Sequence, residues 1–327
     1  MVCNSAVVIN VTRNNVVECQ HRASVVVVDA EGKIVLSAGP CSRMTYLRSL
    51  AKPFQVLPLF DTGAVHRFEL SAADLAIIVS SHNGENVHVN QVRSILCKAG
   101  LPDDSLQCGT HPPYFFAIAQ TILAEYGTVQ PIHNNCSGKH AGMILLAKQL
   151  DLSLESYTRP EHPVQNIILD RLLGLLDLRL EDIAIGVDGC GVPTIAVPFF
   201  TIACLYATLA TAQEATYLRV VRDAMMQNPR LIAGTGRMET ALMSRTPLVA
   251  KSGADGLMAV AIPSKGWGVV VKADSGSPVI ADMVTLSALR KLDCIPELDL
   301  IALQSYSDPP VLNCRGETVG NYQLIWP

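Results

Sequence analysis

The sequence predicts a mixed α/β fold in which one antiparallel sheet is assembled from both termini, with a helical lobe inserted between them. Three observations predict it. The first forty residues hold β-rich runs parted by turns, the middle of the chain is helical in periodicity, and residues 245–295 return to short β-rich runs. Strands that bracket a helical stretch join most economically in one sheet, because each apolar face needs a covering layer. The 327 residues are read as a single domain, with a sheet lobe from roughly 1–40 and 245–295 and a helical lobe between.

Taken in order, Ala6 to Thr12 is β-rich, and Ser24 to Asp29 contains four consecutive valines. A valine run without alternation suits a strand covered on both faces. Glu31-Gly32-Lys33 turns the chain into a further strand from Ile34 to Ala38. Ser71-Ala72-Ala73-Asp74 has the form of a capping box opening a helix toward Val79. Helical periodicity continues over Val87–Lys98, which stops at Gly100, and over 115–126, 141–150 and 164–176, the last opened by Pro163. Ile183 to Val187 reads as a short strand, and 200–209 and 214–226 as helices. Leu248–Lys251, Gly256–Ile262 and Trp267–Ala273 are three strands with tight connections, followed by a helix from Ile280 to Leu292 and a surface loop at Asp308-Pro309-Pro310.

Composition narrows the function. With 49% hydrophobic and 17% charged residues, the chain can fill a packed core. The formal net charge is −4 and there is no basic block, so no nucleic-acid partner is expected. No apolar run reaches transmembrane length, and Met1 to Ser5 lacks the basic start of an export signal, so no membrane partner is expected. Ten cysteines without a C-x-x-C pair point to reduced thiols and a cytoplasmic location.

Several short segments could carry chemistry. Ser49-Leu50-Ala51-Lys52 opens an apparent helix, where a three-residue spacing puts both side chains on one face. A serine hydroxyl needs an adjacent base, and a lysine among Leu47, Leu50, Phe54 and Leu57 is driven toward its neutral form. By itself the pattern equally fits a helix cap followed by a solvated lysine. Ser81-His82-Asn83-Gly84-Glu85 follows a buried run and fits a site edge or an ordinary helix exit. Lys251-Ser252-Gly253 resembles the Lys-Thr/Ser-Gly strand of penicillin-recognising enzymes, which also carry Ser-x-x-Lys. Cys136 and Cys190 each stand in a glycine-rich context beside other donors (Lys139 and His140 with the first, Asp188 with the second), a set that suits Zn²⁺ but also fits two unrelated buried cysteines. Gly234-Thr235-Gly236-Arg237 precedes a helix and could hold an anion such as a substrate carboxylate.

Taken together, Arg48 to Pro53, Ser81 to Glu85, Asn135-Cys136-Ser137-Gly138-Lys139-His140, Gly186 to Pro193, Gly234 to Arg237 and Lys251 to Gly256 resemble the rhizobial-type asparaginases, the asparaginase II family, and run in that family's order. The resemblance implies a serine-β-lactamase and penicillin-binding-protein-like fold, hydrolysis of L-asparagine through an acyl-enzyme, and a homodimer. It implies two pairs, Ser49 with Lys52 and Ser81 with Lys251, and a zinc held by Cys136, Lys139 and Cys190. Arg48, His82, Asp188, Gly189 and Gly236 are the candidates for holding the substrate, and Ser49 the candidate nucleophile. The alternatives are a glutaminase, another amidohydrolase of the same fold, or a non-catalytic amino-acid- or zinc-binding homologue.

Overall fold

The computed structural model describes residues 5–113 and 115–326, so Cys3 lies outside the described residues. The chain divides into two compact units: Met1–Thr45 with Pro198–Thr211 and Ala241–Pro327, and Tyr46–Val197 with Ala212–Thr240.

The first unit is built on an antiparallel sheet, eight-stranded among the described residues. In spatial order its strands are Pro310–Leu312, Thr318–Leu324, Ala6–Arg13, Val16–Val28, Trp267–Ala273, Leu257–Ile262 and Val249–Gly253, with Ile34–Ala38 also paired to Val16–Val28. Strands from both ends of the chain meet where Ala23 to Val28 pair with Ala273 to Gly268. Val25 to Val28 are fully buried, as a strand with two covered faces requires. The helices Phe199–Ala210 and Pro278–Lys291 both pack on the Trp267–Ala273 and Leu257–Ile262 strands. The sheet is larger than the sequence predicts. The second strand begins at Val16, before the expected Ser24, and its added half is exposed. Residue 310, assigned to a surface loop, instead opens a strand, and the terminal hairpin pairs Ile9 to Thr12 with Leu324 to Asn321.

The second unit is mainly helical. Its centre is the helix Ala72–Ile78, which packs on Asn86–Lys98, Ser137–Gln149 and Tyr217–Gln227. Pro163–Leu176 and the hairpin of Ala184–Val187 with Pro193–Pro198 complete it. Among the described residues no helix is long and apolar enough to cross a membrane.

The expected capping box is present. Ser71 Oγ accepts from the Asp74 amide at 3.2 Å, and Asp74 Oδ2 accepts from the Ser71 amide at 2.8 Å. Asp74 is buried and also receives Lys98 Nζ at 2.8 Å and Gln91 Nε2 at 2.7 Å. Burial pushes its carboxyl up, but Lys98, Ser71 and Gln91 together outweigh this and hold it below its ordinary 3.8. The unfolded chain therefore takes up this proton first, so Asp74 stabilises the fold fully above the ordinary carboxylate range and loses that contribution as pH falls through the folded value. Asp74→Ala is expected to lower stability by about 2 kcal/mol at about pH 6, less at about pH 3, as read by urea unfolding. An equal loss at both values would show that the carboxylate charge is not the cause.

Candidate active site

The chain enters the site through Arg48, whose φ of 48° is a left-handed conformation that a non-glycine residue adopts only under local constraint. The constraint is visible: its amide donates to Thr194 Oγ1 at 3.3 Å, and its Nε donates to Asp188 Oδ1 at 2.7 Å. A 3₁₀ turn, Arg48–Ala51, then leads into Lys52–Gln55, so Ser49 and Lys52 lie on a tight turn and not within one regular helix. Both are buried. Lys52 Nζ donates to the Ser80 carbonyl, to Ser81 Oγ at 3.1 Å and to the Asn135 carbonyl at 3.3 Å. The lysine's serine hydrogen bond thus runs to Ser81, while the Ser49 hydroxyl makes no hydrogen bond among the described residues. Burial pushes the Lys52 ammonium down from its ordinary value.

The Ser81 segment is pinned by its backbone: the Ser81 amide donates to the Ile232 carbonyl at 2.8 Å and the Asn83 amide to the Ala233 carbonyl at 2.9 Å. His82 is buried and accepts at Nδ1 from the Gly84 amide at 3.0 Å, while its Nε2 lies 2.9 Å from Ser137 Oγ.

The helix expected over 141–150 begins four residues earlier, at Ser137, with Cys136 at its N-cap position. Lys139 and His140 are therefore in its first turns. Gly138 has a packing reason: a Cβ there would land on the carbonyl oxygen of Ile77, so this helix and Ala72–Ile78 touch backbone to backbone. Asn134 sets up the N-cap, accepting from the Cys136 amide at 2.8 Å and donating to the carbonyls of Cys108 and Gly109 at 3.0 and 3.1 Å. The partner segment is a turn at Asp188, closed by Gly191 N donating to Asp188 O at 2.9 Å, with Gly191 at φ +87°. Gly189 N donates to Asp188 Oδ1 at 2.9 Å.

These two segments bring together a ligand cluster. Donor atoms of Cys136, Asp188 and Cys190 all lie within 4.8 Å of one another. Lys139 Nζ is 3.0 Å from Cys190 Sγ and 3.7 Å from Asp188 Oδ2. A hydrogen bond from Cys136 and the charge of Lys139 outweigh burial and bring the Cys190 thiol down to about 5, while the same bond and burial push Cys136 up to about 12. Burial raises Asp188, but Lys139 and Arg48 overcome it and hold the carboxyl at about 2. Cys190 and Asp188 are thus held toward their anionic forms, with Lys139 and Arg48 as the neutralising cations. A zinc ion would take over that neutralising role from a deprotonated Lys139, and the sulfur, nitrogen and oxygen donors suit it.

Of the remaining candidates, Lys251 is buried on the Val249–Gly253 strand of the first unit, its Nζ donating to the Ser252 carbonyl at 2.7 Å. Gly236 has φ +72° and packs against the Phe115 ring. The turn around it, read as a possible anion site, has an internal anion. Thr235 donates to Glu85 through its amide at 2.6 Å and its hydroxyl at 3.0 Å, and Arg230 pairs with the same carboxylate at 3.0 Å. Glu85, Asn134 and Asn135 lie in segments that the sequence singles out, but their structural roles were not legible, because the partners Thr235, Gly109 and Lys52 lie 25 to 150 positions away.

A buried lysine on a serine hydroxyl is equipment for nucleophilic hydrolysis. The chain belongs to the L-asparaginase II family, an amidohydrolase family, whose model matches residues 9–324. No curated protein matches it. Solved structures show distant likeness. One described as Mglu is 13% identical, with a TM-score of 0.40 over 84% of this chain and 67% of that one. Mglu in its native form in 4.3 M NaCl is 15% identical, with a TM-score of 0.38 over 83% and 60%. A mutant simvastatin synthase from Aspergillus terreus is 12% identical, with a TM-score of 0.36 over 80% and 87%. The chain spans 60–67% of the length of these two Mglu chains.

Proposed function

We propose that this protein is an L-asparaginase that hydrolyses L-asparagine to L-aspartate and ammonia through a serine acyl-enzyme, on a serine-β-lactamase-like scaffold. The observation that carries the proposal is Lys52, fully buried with its Nζ 3.1 Å from Ser81 Oγ, in a chain of the L-asparaginase II family. In the proposed cycle neutral Lys52 takes the proton of a serine hydroxyl as that oxygen attacks the side-chain amide carbon. The lysine returns the proton to the leaving nitrogen, ammonia departs, and water then cleaves the ester with Lys52 again as base. Ser49 is assigned as nucleophile, because its buried hydroxyl has no competing hydrogen bond among the described residues. Ser81 is the second reading, favoured by its contact with Lys52. Lys251 is assigned as a second base by the family resemblance alone.

Arg48 and Asp188 offer opposite charges to the carboxylate and ammonium of an amino-acid head group, with Gly189 leaving room beside them, and Gly236 is assigned to the substrate on the sequence pattern alone. Cys136, Lys139 and Cys190 would hold zinc, which supplies positive charge for orienting substrate. The test is ammonia release from asparagine and glutamine by purified protein of measured zinc content. Release is expected from asparagine in preference to glutamine, with a fall of about a thousandfold or more in Ser49→Ala. A near-wild-type Ser49→Ala would move the nucleophile to Ser81, and no release from either amide by zinc-loaded protein would sink the proposal.

A further inference from the structure

We infer that His82 is a positioning residue, whose neutral imidazole ties the Ser81 loop to the start of the Cys136-capped helix and makes no contact with substrate. The inference rests on the serine–lysine reading for its kinetic consequence, but its geometry stands apart from that reading. The hydrogen bonds leave one consistent assignment of protons. The Gly84 amide donates to Nδ1, so Nδ1 carries no hydrogen and Nε2 does. Nε2–H then donates to Ser137 Oγ, and the Ser137 hydroxyl donates to the Ile132 carbonyl at 2.9 Å. Each donor in the chain has one acceptor, and neither ring nitrogen is left over for a ligand.

The ring is also fixed from its face. His88 stacks on it with centroids 5.0 Å apart and planes at 18°. His88 is itself held, accepting at Nδ1 from the Glu85 amide at 3.1 Å, with its Nε2 2.8 Å from the Arg230 carbonyl. His82 is 1% exposed, so its face and edges are enclosed.

What the imidazole joins gives it consequence. On one side is Ser81, its sequence neighbour, whose hydroxyl receives Lys52 Nζ. On the other is Ser137, which follows Cys136 and opens the helix that carries Lys139. Lys52 bridges the same two segments, through the Ser80 carbonyl and Ser81 hydroxyl on one side and the Asn135 carbonyl on the other. Among the described residues the Ser81 loop and the cysteine-bearing segment are thus tied by side-chain hydrogen bonds through the lysine and through His82. Loss of His82 removes one of these ties, and such supporting partners typically change metal affinity or activity by about 10–100-fold.

The test separates the two bonds of the ring. His82→Asn retains an acceptor near Nδ1 but does not reach Ser137, His82→Gln retains a donor near Nε2, and Ser137→Ala removes the acceptor from the far side. We expect His82→Asn and Ser137→Ala each to lower kcat for asparagine by about 10–100-fold with KM nearly unchanged, and each to weaken zinc binding in chelator competition by about tenfold. The double variant should be no worse than either single one, and His82→Gln should recover most of both losses. A selective rise in KM in His82→Asn, with Ser137→Ala behaving as wild type, would make His82 a substrate ligand and overturn the inference. Additive losses in the double variant would overturn it as well. If the wild-type protein hydrolyses no amide, the functional proposal fails, while zinc affinity across the same four variants still decides the role of His82.

Discussion

Lys52→Met is expected to lower ammonia release from asparagine by about four orders of magnitude while leaving the fold intact. The size follows from position. Lys52 is buried, its Nζ donates to Ser81 Oγ, and burial already pushes its ammonium toward the neutral form. Methionine has nearly the same length and suits the apolar neighbours Val56, Leu59 and Ile78, so it removes the amine without opening a cavity. The change leaves the carbonyls of Ser80 and Asn135 without this donor, a loss of about 1–3 kcal/mol for each that finds no other partner. Removal of a buried amine offsets part of that loss. Lys52→Arg separates charge from basicity: it keeps the cation but cannot give up its proton near neutral pH, so it should be as inactive as Lys52→Met. On the proposed mechanism the same logic sets the direction of the wild-type pH profile, with activity expected to rise as pH increases and Lys52 loses its proton. Ammonia release within tenfold of wild type in a folded Lys52→Met protein would exclude Lys52 as the base.

Which parts of the molecule could be read from sequence depended on whether burial or only hydrogen bonding made them. Val25 to Val28, the three strands from Val249 to Ala273 and the Ser71–Asp74 capping box left strong marks, because packing or capping dictates those residue types at those spacings. The first half of the second strand left none. Val16 to Arg22 is exposed or half-buried, so no alternation marks it, and its only sign is the Asn14-Asn15 turn, where both residues have positive φ. The C-terminal hairpin escaped for the same reason, since Thr318–Leu324 is exposed at most positions and is held as a strand by pairing to residues some three hundred positions earlier. In the site, Cys136 and Cys190 could be read as two cysteines beside further donors, with the choice among Lys139, His140 and Asp188 left open, but the helix that carries Lys139 behind Cys136 could not be read. Its opening Ser-Gly-Lys-His reads as a loop, because glycine disfavours helix and the tertiary contact that requires it is invisible in one segment. The Ser49–Lys52 spacing reads as helical in sequence, whereas it lies on a 3₁₀ turn entered from a left-handed Arg48, with Lys52 Nζ hydrogen-bonded to Ser81 Oγ.

That hidden glycine gives the largest expected effect on stability. A Cβ built on Gly138 falls on the Ile77 carbonyl oxygen and 2.7 Å from its carbonyl carbon. Both atoms are backbone, so no side chain can swing aside. The helices Ser137–Gln149 and Ala72–Ile78 would have to separate, and Ala72–Ile78 is the element on which Asn86–Lys98 and Tyr217–Gln227 also pack. Gly138→Ala is therefore expected to lower stability by about 4 kcal/mol or more, although alanine is the better helix former by about 1 kcal/mol. Gly174 supplies the opposite case. It is exposed in the helix Pro163–Leu176 and a Cβ there meets nothing within 4 Å, so Gly174→Ala should stabilise by about 0.5–1 kcal/mol. Urea unfolding of the two variants beside wild type reads both signs in one experiment. If Gly138→Ala is tolerated as well as Gly174→Ala, the close approach of the two helices is wrong. The requirement for glycine between Cys136 and Lys139 would fall with it, because the backbone contact with Ile77 is what excludes a side chain at that position.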